Sequence, residues 1–225
     1  WPFVFYFCSL MPVITPAPLF VDWFRSVAPY IHKFRHQTFV VGMPGEAIAA
    51  GYLGSIVQDL ALIQSMGVQI VLVHGFRPQI NEQLEAKNLQ SVFSHGVRLT
   101  DSAALDAAQE AAGQLRFEIE AAFSQGLPNT PMADSTVRVI SGNFITARPM
   151  GIVDGVDFKH SGVVRKVDTA FIRRTLDMGA LVLISPFGFS PTGEAFNLAM
   201  EEVATSVAIA LKADKLVFFT EIDGI

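Results

Sequence analysis

Four short, almost wholly apolar runs constrain this chain more than any other feature: residues 38–41, 68–73, 181–185 and 215–220. Runs of that length without polar alternation belong to strands buried on both faces, as in a parallel sheet covered by helices. The segments between them carry helical signals. Residues 48–66 read as one helix closed by Gly67, and residues 80–86 as a shorter one. Thr100-Asp101-Ser102 opens a long Ala-rich helix reaching Ser124, with Thr100 or Asp101 as N-cap. Asp168 caps a helix to Met178, and Gly179 ends it before the third apolar run. Strands alternating with helices, without internal repeat or linker, predict one α/β domain with an open, mainly parallel sheet covered on both faces. Charged residues make up 16% of the 225, against roughly 25% in average chains, which agrees with so much buried surface.

Other segments read differently. Residues 137–141, a Gly142-Asn143 turn and residues 144–147 form a β-hairpin pattern, and residues 151–165 an irregular β segment. Residues 127–131 are a loop. From Ser185 the chain reads as a strand, a glycine hairpin and then a helix that starts at Asn197 and runs to Lys212. Near the N-terminus Leu19, Trp23, Val27, Tyr30, Ile31 and Phe34 recur at helical spacing, and Pro29 predicts a kink or two short helices. Residues 1–20 hold no charge, and the chain does not begin with Met. A signal peptide would need a basic n-region, and Pro12, Pro16 and Pro18 would break a spanning helix. Residues 1–18 are therefore read as an upstream or disordered segment, with Met11 as a start, and the domain as residues 19–225.

Charge and cysteine usage exclude several function classes. A net charge of −5 gives no basic field to recruit nucleic acid or an acidic membrane. The single Cys8 excludes an internal disulfide and a cysteine metal cluster, and fits a reducing cytoplasm. No Ser-His-Asp pattern, Walker loop or dinucleotide fingerprint is present. His74, directly after a buried strand, reads as packed and not catalytic; His160 lies in a polar loop.

Six segments in order then carry a resemblance. They are Trp23-Phe-Arg with Ala28-Pro-Tyr-Ile; Thr38-Phe-Val-Val with Gly45-Glu-Ala; Val73-His-Gly-Phe-Arg-Pro-Gln-Ile; Val97-Arg-Leu-Thr-Asp; Val139-Ile-Ser-Gly-Asn-Phe-Ile; and Ser190-Pro-Thr-Gly-Glu-Ala-Phe-Asn-Leu with Glu201-Glu202. With them, residues 20–225 resemble the amino-acid kinase-like domain of bacterial N-acetylglutamate synthases. The resemblance implies an amino-acid kinase-like fold with β-hairpins, truncated at its C-terminal end. It implies an arginine-sensing regulatory and oligomerisation domain in the cytoplasm, built into a homo-oligomer through the N-terminal helix. In the intact parent, L-arginine is the effector of an acetyltransferase that moves an acetyl group from acetyl-CoA to L-glutamate. That catalytic domain is absent here, so no catalytic residue, cofactor or metal is expected in this part.

The same resemblance supplies a chemical test. Related kinases carry Lys-x-Gly-Gly after the first strand, where the Lys meets the transferred phosphoryl group and the glycines admit backbone N–H donors. The four positions here are Gly42-Met43-Pro44-Gly45, so the cation is missing and Pro44 has no N–H. A glycine run after the second strand is replaced by Gly75-Phe76-Arg77-Pro78, and Asn-x-Asn-x-Asp by Asn197-Leu-Ala199-Met-Glu201. These losses together argue against phosphoryl transfer. Gly45, Gly75, Arg77, Arg98, Asn197 and Glu201 are read as remnants of a substrate-like pocket. For Gly45 and Gly75 the alternative is a purely structural turn. For Arg98, which matches the residue that meets the acidic substrate in the kinases, the alternative is a salt bridge to an acid such as Asp101. Tyr30 is a core or interface aromatic, or by resemblance borders the arginine site. An active N-acetylglutamate kinase and a ligand-free scaffold stand as competing functions.

Overall fold

The computed structural model describes residues 17–125 and 136–220; the expected loop at 127–131, most of the segment 1–18 and the terminal residues 221–225 lie outside them. A five-stranded parallel sheet forms the centre. Its strands are β1 (Thr38–Met43), β2 (Gln69–His74), β5 (Val139–Ser141), β10 (Leu181–Ile184) and β13 (Lys215–Phe218), in the order β13-β1-β2-β10-β5. The four apolar runs of the sequence are β1, β2, β10 and β13, and all pair in parallel, but burial on both faces holds only for the first three: β13 is an edge strand with β1 as its one neighbour, and is exposed along its length.

Period two along these strands separates two cores. Val40, Val71, Val73, Val182 and Ile184 point to one face, where α6 (Thr169–Asp177) and α7 (Met200–Leu211) supply Ile172, Leu176, Val203 and Val207. Val41, Met43, Ile70, Leu72, Leu181 and Leu183 point to the other, where α3 (Leu53–Ser65) and α5 (Ser102–Ser124) supply Val57, Leu60, Ile119 and Phe123. Every named strand residue is 4% exposed or less, so both faces are dry. A third cluster joins α4 (Arg77–Ala86) to the first half of α5 through Ile80, Leu84, Ala107 and Ala111.

Caps expected from the sequence are formed. Asp101 accepts from Ala104 N at 2.9 Å, and Asp168 from Phe171 N at 3.0 Å. Three expectations are corrected. The helix expected over 48–66 is divided into α2 (Gly45–Ala49) and α3, because Gly51 turns at φ +85° and Tyr52 N bonds back to Ala47 O. The hairpin expected over 137–147 is absent: β5 joins the parallel sheet, and β6 (Ile145–Pro149) joins a second one. Neither Gly142 nor Asn143 has the positive φ that a two-residue hairpin turn requires. Helix α7 begins at Met200, not Asn197, which ends β12 (Ala195–Asn197). Asn197 is held laterally, its N–H donating to His160 O and its amide to Thr100 Oγ1.

The second sheet runs β12-β11-β6-β9, with β11 (Phe187–Phe189) and β9 (Gly162–Val167). The glycine hairpin after Ser185 is the antiparallel pair β11–β12. Two small hairpins complete the element set: β3 (Phe93–Ser94) with β4 (Val97–Arg98), and β7 (Ile152–Val153) with β8 (Val156–Asp157). Helix α1 (Ala17–Phe34) is a single element through Pro29, where a kink or a division is expected. Only its last turns are tucked in, with Phe34 edge-on to Phe39 at 5.5 Å. No described helix is long and apolar enough to cross a membrane.

The Asp101 cap gives a direct test. Asp101→Ala is expected to cost about 1 kcal/mol and lower the melting temperature by about 2–4 °C. Asp106→Ala, exposed on the same helix, should stay within about 0.5 kcal/mol of the parent in the same thermal scan.

Candidate functional site

The carboxyl ends of β1 and β2 meet the start of α7 in a cleft of about 140 Å³. Ligands of open α/β sheets bind outside the carboxyl ends of the strands. Gly45, Gly75, Arg77, Arg98, Asn197 and Glu201 all line this cleft, with Phe93, Val97, Met150 and Ser161. The fold thus brings together six residues spread over more than 150 positions of sequence. Tyr30 is elsewhere, on α1, and 53% exposed.

The two turns of the site cross in backbone contact. A Cβ on Gly75 would lie 2.9 Å from Gly45 N, and one on Gly45 would lie 2.9 Å from Phe76 Cα. Both glycines are required by this approach. One polar group of each is already engaged: Gly75 N donates to Met43 O at 2.7 Å, and Gly45 O accepts from Gln79 Nε2 at 3.0 Å. The position of the missing strand-one cation is closed as well. A Cβ on Gly42 would lie 2.4 Å from Phe218 Cδ1 and 3.0 Å from Met200 Sδ. Where a kinase would admit phosphate, Arg77 Nη2 lies 3.3 Å from Glu201 Oε2, and this ion pair links the second turn to α7.

Arg98 is 6% exposed and has no carboxylate within ion-pair distance among the described residues. The salt bridge to Asp101 does not form, because Asp101 is turned to its cap. Neutral groups hold the guanidinium instead: Ser91 Oγ, Asn81 Oδ1 at 2.9 Å, and the face of Phe93 at 4.7 Å from its centroid. Burial, and secondarily the charge of Arg77, push the Arg98 pKa down. An uncompensated buried cation in a cleft favours a ligand with a negative group. The supporting residues Asn81 and Ser91 were not legible in sequence, since nothing in that polar stretch marks which side chains turn inward.

His74 is fully buried, as expected. Its Nδ1 lies 3.3 Å from Gly75 O, which can only accept, so the proton sits on Nδ1 and Nε2 accepts from Ser185 Oγ at 2.8 Å. The pair ties the end of β2 to the end of β10 and steadies the second turn. Among the described residues, no group of three or more His, Cys, Asp or Glu is placed to hold a metal ion.

Comparison with known proteins follows this geometry. Residues 37–225 match the model of the amino acid kinase family. An amino-acid acetyltransferase from Ralstonia nicotianae is 60% identical over 215 residues, covering 94% of this chain and 48% of that protein. One from Pseudomonas fluorescens is 51% identical over 202 residues. The chain spans about half the length of the curated relatives it matches. Among solved structures, N-acetylglutamate synthase from Neisseria gonorrhoeae, complexed with coenzyme A and L-arginine, superposes with a TM-score of 0.85 at 40% identity. That match covers 92% of this chain and 48% of the synthase. A carbamate kinase from Giardia, at TM-score 0.56 and 15% identity, shares the fold.

Burial lowers the His74 pKa from 6.5 to about 4, against a smaller opposing effect of the Gly75 carbonyl. The unfolded imidazole takes up its proton near the upper value and the folded one only near the lower. Stability from this group is therefore complete above the upper value and declines as pH falls through the window. The loss should be on the order of 3 kcal/mol. His74→Gln should lower stability at neutral pH yet flatten the decline, as measured by urea unfolding across that window.

Proposed function

The chain belongs to the amino acid kinase family, and on that premise we propose that it is the arginine-sensing regulatory and oligomerisation domain of an N-acetylglutamate synthase. The whole protein would acetylate L-glutamate with acetyl-CoA, the first step of arginine biosynthesis. The observation that carries this reading is the filling of the phosphate-handling turns. Phe218 and Met200 stand where a strand-one lysine would extend, Gly75 N is engaged by Met43 O, and Arg77 pairs with Glu201. A family scaffold without these parts serves binding and assembly, not phosphoryl transfer. The Neisseria synthase complexed with coenzyme A and L-arginine supports the choice of parent and effector.

Helix α1 supports the assembly role. Leu19, Trp23, Phe24 and Tyr30 are 51–61% exposed on it, an apolar surface suited to a neighbouring subunit. Tyr30 on that face is the residue assigned to the border of the arginine site. A second reading, an N-acetylglutamate kinase, draws on Arg98, whose buried charge fits an acidic ligand; a ligand-free scaffold is the third.

Three measurements separate these functions. Purified protein with ATP, magnesium and N-acetylglutamate is expected to release no ADP above background, and release would establish the kinase. Gly42→Lys with Pro44→Gly should not rescue activity, because the added side chain collides with Phe218. Calorimetry on the intact parent should show arginine binding, and its absence would leave the scaffold. Deleting residues 1–36 should lower the mass seen by light scattering while the α/β core stays folded; an unchanged mass would remove α1 from the interface.

A further inference from the structure

The β3–β4 and β7–β8 hairpins are the same device used twice. Each turns on two residues in the left-handed region: His95 and Gly96 at φ 52° and 75°, and Asp154 and Gly155 at φ 50° and 80°. This is the turn that follows the natural twist of a two-residue hairpin. Phe93, Gly96, Val97 and Arg98 of the first hairpin line the cleft, as does Met150 just before the second.

The two hairpins are tied at both ends. At the base the Ser161 hydroxyl bridges Arg98 O and Thr100 Oγ1, and His160 N donates to Thr100 O at 2.9 Å. Phe158, 1% exposed, anchors that end. At the tips His95 Nε2 lies 3.4 Å from Asp154 Oδ2, with both side chains more than half exposed. The base is buried and the tips are wet, so a hinge at the base and a latch at the tips is the economical motion.

We infer that the two hairpins form one flap at the rim of the cleft, which the first hairpin lines, latched at its tips by the His95–Asp154 pair, and that acidification tightens the latch. The pair is charged on both sides only when the imidazole is protonated, and histidine is the side chain that ordinarily titrates between pH 5 and 8. Asp154 is the charge that meets the ring. The other groups nearby are otherwise engaged: Ser94 Oγ sits 3.1 Å from Nδ1, Asp157 accepts from Lys159 N, and the Arg98 guanidinium lies over Phe93. The inference is independent of which ligand the cleft takes.

Hydrogen exchange on the whole chain tests it, read in peptides spanning residues 91–99 and 150–158 and corrected for intrinsic rates. Going from about pH 7.5 to about pH 5.5 should raise protection in both hairpins together, by about two- to fivefold. His95→Asn keeps a residue that accepts the left-handed turn and should abolish the pH effect in both peptides. Asp154→Asn should do the same, whereas His95→Lys should keep both hairpins protected at both pH values. Protection that does not change with pH, that changes in one hairpin alone, or that persists in either asparagine variant would overturn the latch.

Discussion

The close crossing of the turns after β1 and β2 governs the rest of the structure. With Gly45 and Gly75 in backbone contact, the carboxyl ends of two fully buried parallel strands are held at one distance and one height. Helices α2 and α4 start from those turns, so their directions follow from the crossing, and α4 in turn sets where α5 packs. The cleft is what remains between this crossing, the first turn of α7 and the β3–β4 hairpin.

Seen from that crossing, the chemistry of the site is a consequence of occupancy. A phosphoryl group needs free N–H donors and a cation that can reach it. Here the donor of Gly75 and the carbonyl of Gly45 serve the turns themselves, and Phe218 covers the point from which a lysine would extend. Two positive charges line the cleft instead: Arg77, at the second turn, is answered by Glu201, and Arg98 by neutral acceptors.

Legibility in the sequence varied with the range of the forces involved. Strands β1, β2 and β10 could be read because burial on both faces leaves no polar alternation, and the caps Asp101 and Asp168 because their bonds close within three residues. Residues 137–147 were misread because a Gly-Asn pair between two apolar runs looks like a turn in isolation. The competition that decided otherwise was the vacant edge of β10, a strand 40 residues away. Asn197 was misread as a helix start for the same kind of reason, since its partners Thr100 and His160 belong to another part of the chain.

The sequence by itself determined the α/β class, the parallel centre and the absence of a lysine and of consecutive glycines in the phosphate turns, because each is written in residue type and local order. Only the tertiary structure decided what replaced them. That Phe218 fills the space beside Gly42, that Arg98 is buried without a carboxylate, and that two distant hairpins meet at His95 and Asp154 all depend on contacts between elements far apart in the chain. Such contacts are fixed by packing and desolvation in three dimensions, and no local pattern of residues encodes them.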